Sequence, residues 1–284
     1  MNGPLGRIVF PSFVLAMWVI FGMWLAQGDW TALNWLMLGT AAAATAIVFV
    51  DFVSVFSFGY ATCMIVLPVE IVIVRGATTA SVVVGGLAAF YGLRLWAFAW
   101  RRRRSASYAP SRAGEAMARS HVPMALKVLL FVLVTSLMTF ESMSPYVVAT
   151  KGDTTTWVVI GAAVMVGGLL IEIVADEQKH RAKEADNATF ARNGLYARTR
   201  HPNYTGEILF QAGLAAAAFG SVTGWWQLVA VVLSPAYITV LMFFQAHSGD
   251  SRLRSRYGTD PKYVEYAAAS GSLLPVRRRS RVDA

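Results

Sequence analysis

The chain has 284 residues, 56% of them hydrophobic and 14% charged, with a mean hydropathy of +0.50; a soluble domain carries about 25% charged residues, so a soluble globular protein is excluded and an integral membrane protein is indicated. The formal net charge of +9 comes with no recognisable nucleic-acid module, which removes nucleic acid as an expected partner. Cys63 is the one cysteine and excludes an intramolecular disulfide.

Apolar runs occupy residues 8–26, 32–50, 52–74, 78–99, 123–140, 155–174, 206–220 and 224–245. Most approach the roughly 20 residues a helix needs to cross the hydrocarbon layer. The expected architecture is all-α: a polytopic transmembrane helix bundle of seven or eight spans, forming one integral membrane domain over residues 1–284. The first run follows only Arg7 and lacks a small-residue cleavage site, so it reads as a retained helix. Asp51 is the clear polar break within 32–74, and 206–220 is short for a full crossing. Positive charge collects in Arg101 to Arg119, Lys179 to Arg200 and Arg252 to Arg281. Counting spans puts all three stretches on one side, which the positive-inside rule assigns to the cytoplasm. The C-terminal VRRRSRV reads as contact with acidic headgroups of the membrane lipid.

In chain order, the first polar candidates are Asp51 and Glu70. If 52–74 and 78–99 are antiparallel neighbours, Asp51 falls near the level of Arg101 and Glu70 near the opposite turn. Asp51 is the preferred functional acid, because Glu70 follows Pro68 close to an expected surface. In AAFYGLRLWAFAWRRRR, Tyr91 and Arg94 are three apart on one helix face. An arginine at that depth must face protein, water or ligand, and beside it Tyr91, by default a packed tyrosine, becomes a candidate proton donor.

The longest polar connection is EIVADEQKHRAKEADNATFARNGLYARTRHPNY. Helical spacing aligns Glu172, Asp176, Lys179 or His180, and Lys183, so the span before it continues as a helix with a charged face; a solvated extension with internal ion pairs is the plainer alternative. In GLYARTRHPNYTGEILFQAG, Pro202 is a natural first helical residue. A helix start offers unpaired N–H groups, here flanked by Arg198, Arg200 and His201, and suits an anion such as a phosphate. Asn203 and Glu207 share one face with Tyr204 adjacent. A carboxylate at Glu207 needs a partner or a job: a ligand, or an arginine clasp between helices. After the last span, AHSGDSRLRSRYGTDPKYVEYAAASGSLLP carries Asp250, Arg252, Arg254 and Arg256 before Tyr263 and Tyr266. It reads either as a basic surface tail or as a lid that offers arginines to a phosphate. No HExxH, paired CxxC or dense His/Cys set is present, so no metal is expected. Nor does a Gly-rich nucleotide fingerprint follow a strand.

The AD-x-QK stripe, GLYARTRHPNYTGE, a final apolar span, and a basic segment ending in Y-x-x-Y and LLP together resemble the membrane-embedded steroid 5-alpha-reductase family and its bacterial homologues. The resemblance runs from about Glu172 to Pro275 and extends more weakly to YGLRL at Tyr91. RHPNY-x-GE is shared in looser form with sterol reductases and isoprenylcysteine carboxyl methyltransferases. The resemblance implies NADPH-dependent reduction of the double bond in a 3-oxo-4-ene steroid or similar lipophilic enone, in a bacterial inner membrane. It implies that Asp176, Asn203 and Glu207 hold the cofactor, that Arg94 and Arg101 approach its phosphates or adenosine part, and that Tyr91 hydrogen-bonds the substrate ketone. The family pairs that tyrosine with a glutamate on the preceding helix; this chain has none at that spacing, and Asp51 is a substitute by proximity. The full expected cofactor set is Arg94, Arg101, Asp176, Lys179, Lys183, Tyr196, Arg198, Arg200, His201, Asn203, Tyr204, Glu207, Asp250, Arg252 and Arg254, with Tyr91 and Asp51 catalytic. The competing readings are an S-adenosylmethionine-dependent methyltransferase on a lipophilic acceptor and a non-enzymatic lipid-binding or scaffold protein. Against the methyltransferase, SGDSRLRSRYG lacks the paired glutamates expected of those enzymes. No obligate protein partner is evident.

Overall fold

The computed structural model describes residues 4–28, 30–106, 122–186 and 188–275. Among the described residues the helices are α1 (Pro4–Gln27), α2 (Ala32–Thr45), α3 (Phe58–Arg75), α4 (Thr79–Arg104), α5 (Met124–Glu141), α6 (Met143–Lys151), α7 (Thr156–Ala185), α8 (Pro202–Ala218), α9 (Trp225–Tyr257) and α10 (Pro261–Ala269), with short 3-10 turns between some of them and no strand. Among the described residues six stretches are long and apolar enough to cross a membrane: Ala32–Phe49, Phe58–Arg75, Thr79–Arg104, Met124–Lys151, Thr156–Ala185 and Trp225–Tyr257; Pro11–Gln27 is a shorter apolar helix. The chain is therefore an all-α integral membrane protein. Residues such as Ile73 (75% exposed) and Leu129 (58% exposed) are apolar side chains on the outside of the helices, as contact with lipid requires. The seventh expected run, 206–220, forms α8, whose 17 residues reach only about 26 Å at 1.5 Å per residue, short of a hydrocarbon layer about 30 Å thick.

Two compact units divide the chain: a larger one of Asn2–Met165 and Ala212–Tyr237, and a smaller one of Val166–Gln211 and Ile238–Ala284 with Met1. In the larger unit, α3 and α4 form a hairpin whose turn needs Gly76 at φ +106, a value that favours glycine. Thr78 then caps α4 by accepting from Ser81 N. The two helices approach so closely that a Cβ at Gly92 would lie 2.7 Å from the Ala61 carbonyl oxygen. Gly92→Val is accordingly expected to cost about 1–3 kcal/mol by overpacking, read as a lower thermal midpoint of detergent-purified protein. Beside Gly92, Tyr91 is 1% exposed and meets Tyr60 edge-on, with ring centroids 6.1 Å apart.

A polar thread also runs through this apolar unit. Thr45 and Thr135 share a hydrogen bond of 2.7 Å. At the break between α5 and α6, the buried Glu141 accepts from Ser234 Oγ at 2.6 Å. A polar group in such a place must be hydrogen-bonded to be tolerable.

In the smaller unit, α7 and α8 cross through glycine. A Cβ at Gly206 would stand 2.7 Å from Gly168 O, and one at Gly168 would stand 2.5 Å from Phe210 N. Small residues at such a contact let helix backbones approach in a membrane, where no hydrophobic force drives helices together. The segment after α10 is laced to the start of α8. Arg200 N donates to Gly271 O (2.8 Å), His201 N to Ser272 O (3.0 Å) and Gly271 N to Arg198 O (3.1 Å). Thr205 Oγ1 donates to Leu273 O (2.6 Å).

Candidate functional site

The smaller unit contains a pocket of about 220 Å³. Helical spacing explains its basic wall. Lys179 and Lys183 are one turn apart on α7, Arg252 and Arg256 are one turn apart on α9, and all four line the cavity. At 33 residues, α9 spans about 50 Å, so it outruns the hydrocarbon layer and can carry charge beyond it. Arg200 and His201, just before α8, complete the basic side. Among the described residues no aspartate or glutamate lines the pocket.

Asp250 stands behind this wall and organises it. Its carboxylate takes two hydrogen bonds from Arg200, from Nε to Oδ1 at 2.8 Å and from Nη2 to Oδ2 at 3.0 Å, and pairs with His201 Nε2 at 2.9 Å. Arg200 Nη1 donates to Ala267 O at 3.1 Å and to Ser270 O. The hydrogen bond to Asp250 raises the pKa of Arg200. Most of its N–H groups thus serve the protein itself, and its part in the pocket is fixed charge rather than a mobile donor. His201 lies flat against Tyr204, with ring centroids 5.2 Å apart at 8°. Burial lowers its pKa, against the opposing effect of the Asp250 hydrogen bond.

Aromatic rings also line the pocket: Phe190, Tyr196, Tyr204, Tyr257 and Tyr266. Phe190 meets Tyr257, Tyr263 and Tyr266, each at 5.3 Å between centroids. Tyr266 donates to Tyr196 O at 3.0 Å, and burial pushes its phenol up to about 12, so it remains a neutral donor at physiological pH. Cations beside aromatic rings suit a ligand that joins phosphate to a flat ring. The pocket is smaller than a whole small-molecule site of about 300–1,000 Å³.

Of the expected cofactor residues, the structure brings Lys179, Lys183, Tyr196, Arg200, His201, Tyr204 and Arg252 to the wall, with Asp250 buttressing two of them. Asp176 and Glu207 are buried within the smaller unit instead, and Glu207 accepts from Gln211 Nε2 at 2.9 Å. Arg198 and Arg254 are exposed and Asn203 half-buried; none of the three lines the cavity. Sequence reasoning missed Phe190 and Tyr257 as wall residues, and named Arg256 and Tyr266 only within the segment read as a basic tail or a phosphate lid. The one-turn spacing of Arg252 and Arg256 was the available signal.

The remaining candidates belong to the larger unit. Tyr91 is buried, Arg94 lies over the Phe98 ring at 5.9 Å, and Arg101 is exposed. Asp51, expected as the acidic partner of Tyr91, pairs with Arg103 Nη2 at 2.6 Å and accepts from Ser54 Oγ at 2.7 Å. Arg103 and Tyr91 are about 18 Å apart along α4 at 1.5 Å per residue, so the ion pair belongs to the basic end of that helix. Sequence reasoning also missed Glu141, whose signal was an acid in the apolar stretch TFESMSP. Among the described residues no group of histidine, cysteine, aspartate or glutamate is placed to hold a metal ion.

No curated protein and no solved structure matches the chain. A family profile does match, over residues 43–270, which takes in α3 to α10 and every wall residue of the pocket. The chain belongs to the family described as "Protein of unknown function (DUF1295)".

Proposed function

We propose that this protein is an NADPH-dependent reductase of a lipophilic enone, such as a 3-oxo-4-ene steroid. The phosphate-bearing end of the cofactor occupies the basic pocket, and Tyr91 is the proton donor at the ketone oxygen. The observation that carries this reading is the pocket wall: five lysines and arginines from three segments, no carboxylate among the described residues, and a cluster of aromatic rings beside them. S-adenosylmethionine bears a sulfonium and no phosphate, so this wall opposes it. The resemblance of GLYARTRHPNYTGE and YGLRL to the steroid 5-alpha-reductase family supports the same conclusion.

When bound, NADPH supplies the hydride that adds to the β-carbon of the enone. Negative charge then develops on the ketone oxygen, where the Tyr91 hydroxyl donates a hydrogen bond and next a proton. Lys179, Lys183, Arg252 and Arg256 hold phosphate by charge-assisted hydrogen bonds. Arg200, fixed by Asp250, keeps a positive charge in place. A substrate that partitions into lipid fits a protein of this class. In this reading the protein sits in a bacterial inner membrane with its basic segments facing the cytoplasm, where the cofactor is found.

Thermal unfolding of detergent-purified protein tests the assignment, because a ligand that binds only the folded state stabilises it by mass action, by about 2.7 kcal/mol at one hundred times its Kd. NADPH is expected to raise the midpoint, whereas S-adenosylmethionine leaves it unchanged. A rise with S-adenosylmethionine alone would overturn the reductase reading.

A further inference from the structure

The clasp around Asp250 fixes an imidazole whose protonation chemistry the reductase reading does not use. His201 is a wall residue of the basic pocket with three restraints on its ring. Nε2 lies 2.9 Å from Asp250 Oδ1, and the ring face lies on Tyr204. The Cε1 edge sits against Gly249, where a Cβ would come within 2.6 Å. Facing a carboxylate, Nε2 carries the proton, and in the neutral ring Nδ1 is then an acceptor. A phosphate oxygen is an acceptor too. The two repel until Nδ1 gains a proton, after which the ring donates on both sides.

We propose that His201 takes up a proton on Nδ1 when a phosphate group enters the pocket, so that ligand binding by this protein is linked to pH. The inference rests on the reading that the pocket holds a phosphorylated ligand. One proton moves from solvent to Nδ1, an N–H···O–P hydrogen bond forms, and the imidazolium is held between the Asp250 carboxylate and the phosphate.

The charges around the ring explain why the ligand decides the outcome. Asp250 on α9 favours the imidazolium, whereas Lys179 on α7 and Arg200 just before α8 oppose it; Tyr204 on α8 contributes a ring face. Burial is the largest effect, and it holds the unliganded imidazole below its ordinary value of 6.5. The ring therefore meets the ligand neutral at physiological pH. A phosphate offsets the opposing cations and supplies the missing acceptor, which raises the pKa in the complex. Affinity is then highest at low pH and falls as pH rises through that raised value.

Isothermal titration calorimetry of the detergent-purified full chain, in buffers of different ionisation heat, counts the protons directly. The probes are NADPH, adenosine 2′-monophosphate and inorganic phosphate, each at several values from about pH 7 to 9, where a phosphate monoester with its second pKa near 6 is already a dianion. NADPH is expected to bind with uptake approaching one proton, and Kd weakens towards about tenfold per pH unit above the raised value. His201→Gln retains a donor for Asp250 but cannot titrate, so its uptake falls to near zero and its Kd becomes flat with pH. Should that variant fail to fold, nitrogen-labelled histidine spectra of the wild-type chain report the same conversion from neutral to doubly protonated imidazole when NADPH is added. Binding without proton uptake, or uptake undiminished in His201→Gln, overturns the inference while leaving the cofactor reading intact. Uptake with adenosine 2′-monophosphate or inorganic phosphate but no binding of NADPH does the reverse. If none of the three binds, both readings fall.

Discussion

Tyr91→Phe is expected to lower turnover of a lipophilic enone by about 100- to 1,000-fold, the usual effect of removing one preorganised donor to a developing oxyanion, while the thermal shift produced by NADPH stays at the parental value. The substitution is a clean probe because the ring has little freedom to move. Tyr91 is 1% exposed, it meets Tyr60 at an interplanar angle of 89°, and the neighbouring Gly92 locks α4 against Ala61 and Ile65. Phenylalanine fills the same space and retains these contacts, so the variant removes an O–H group rather than a piece of the core. A tyrosine present only for packing would tolerate the change. Parental turnover in Tyr91→Phe would therefore remove the residue from the proposed mechanism, whatever the fate of the cofactor site.

The second large effect belongs to Arg252 and Arg256. Each alanine substitution is expected to weaken NADPH about tenfold, as loss of one charge-assisted hydrogen bond implies, and to reduce the sensitivity of Kd to salt. Arg254 provides the control: it lies between them in sequence, removes the same charge, and does not line the cavity. Arg254→Ala is expected to change Kd little. All three arginines are exposed and none belongs to the Asp250 clasp, so folding is not at stake. If Arg254→Ala weakens NADPH as much as Arg252→Ala, the basic segment acts as a diffuse field and the wall assignment is wrong. The measurement is a titration of NADPH by calorimetry at two salt concentrations.

These contrasts mark how far local pattern reaches in this protein. Hydropathy over a window is a local quantity, and it located the apolar runs that became the long helices. It also marked 206–220 as short for a full crossing, and α8 runs only from Pro202 to Ala218. The proline at the first helical position was legible because its ring sets φ and removes a donor that would be unpaired there in any case. So was the shared face of Lys179 and Lys183, which follows from the helical repeat alone. The same reasoning put Arg252 and Arg254 in the cofactor set and left Arg256 out, although Arg252 and Arg256, four apart, are the pair that shares a face of the helix.

By itself, then, the sequence determined the membrane class, the helical class and the stretches in which the pocket's cations gather, since each of these depends on residues adjacent in the chain or one helical turn apart. The tertiary structure alone decided what each charge does. It joined Arg200 to Asp250 across 50 residues, tied Asp51 to Arg103 across 52 and brought Phe190 against Tyr266. The physical reason is that the free energy of a charge or a ring depends on the partner and solvent around it, and in a helical membrane protein those are set by which helix faces meet.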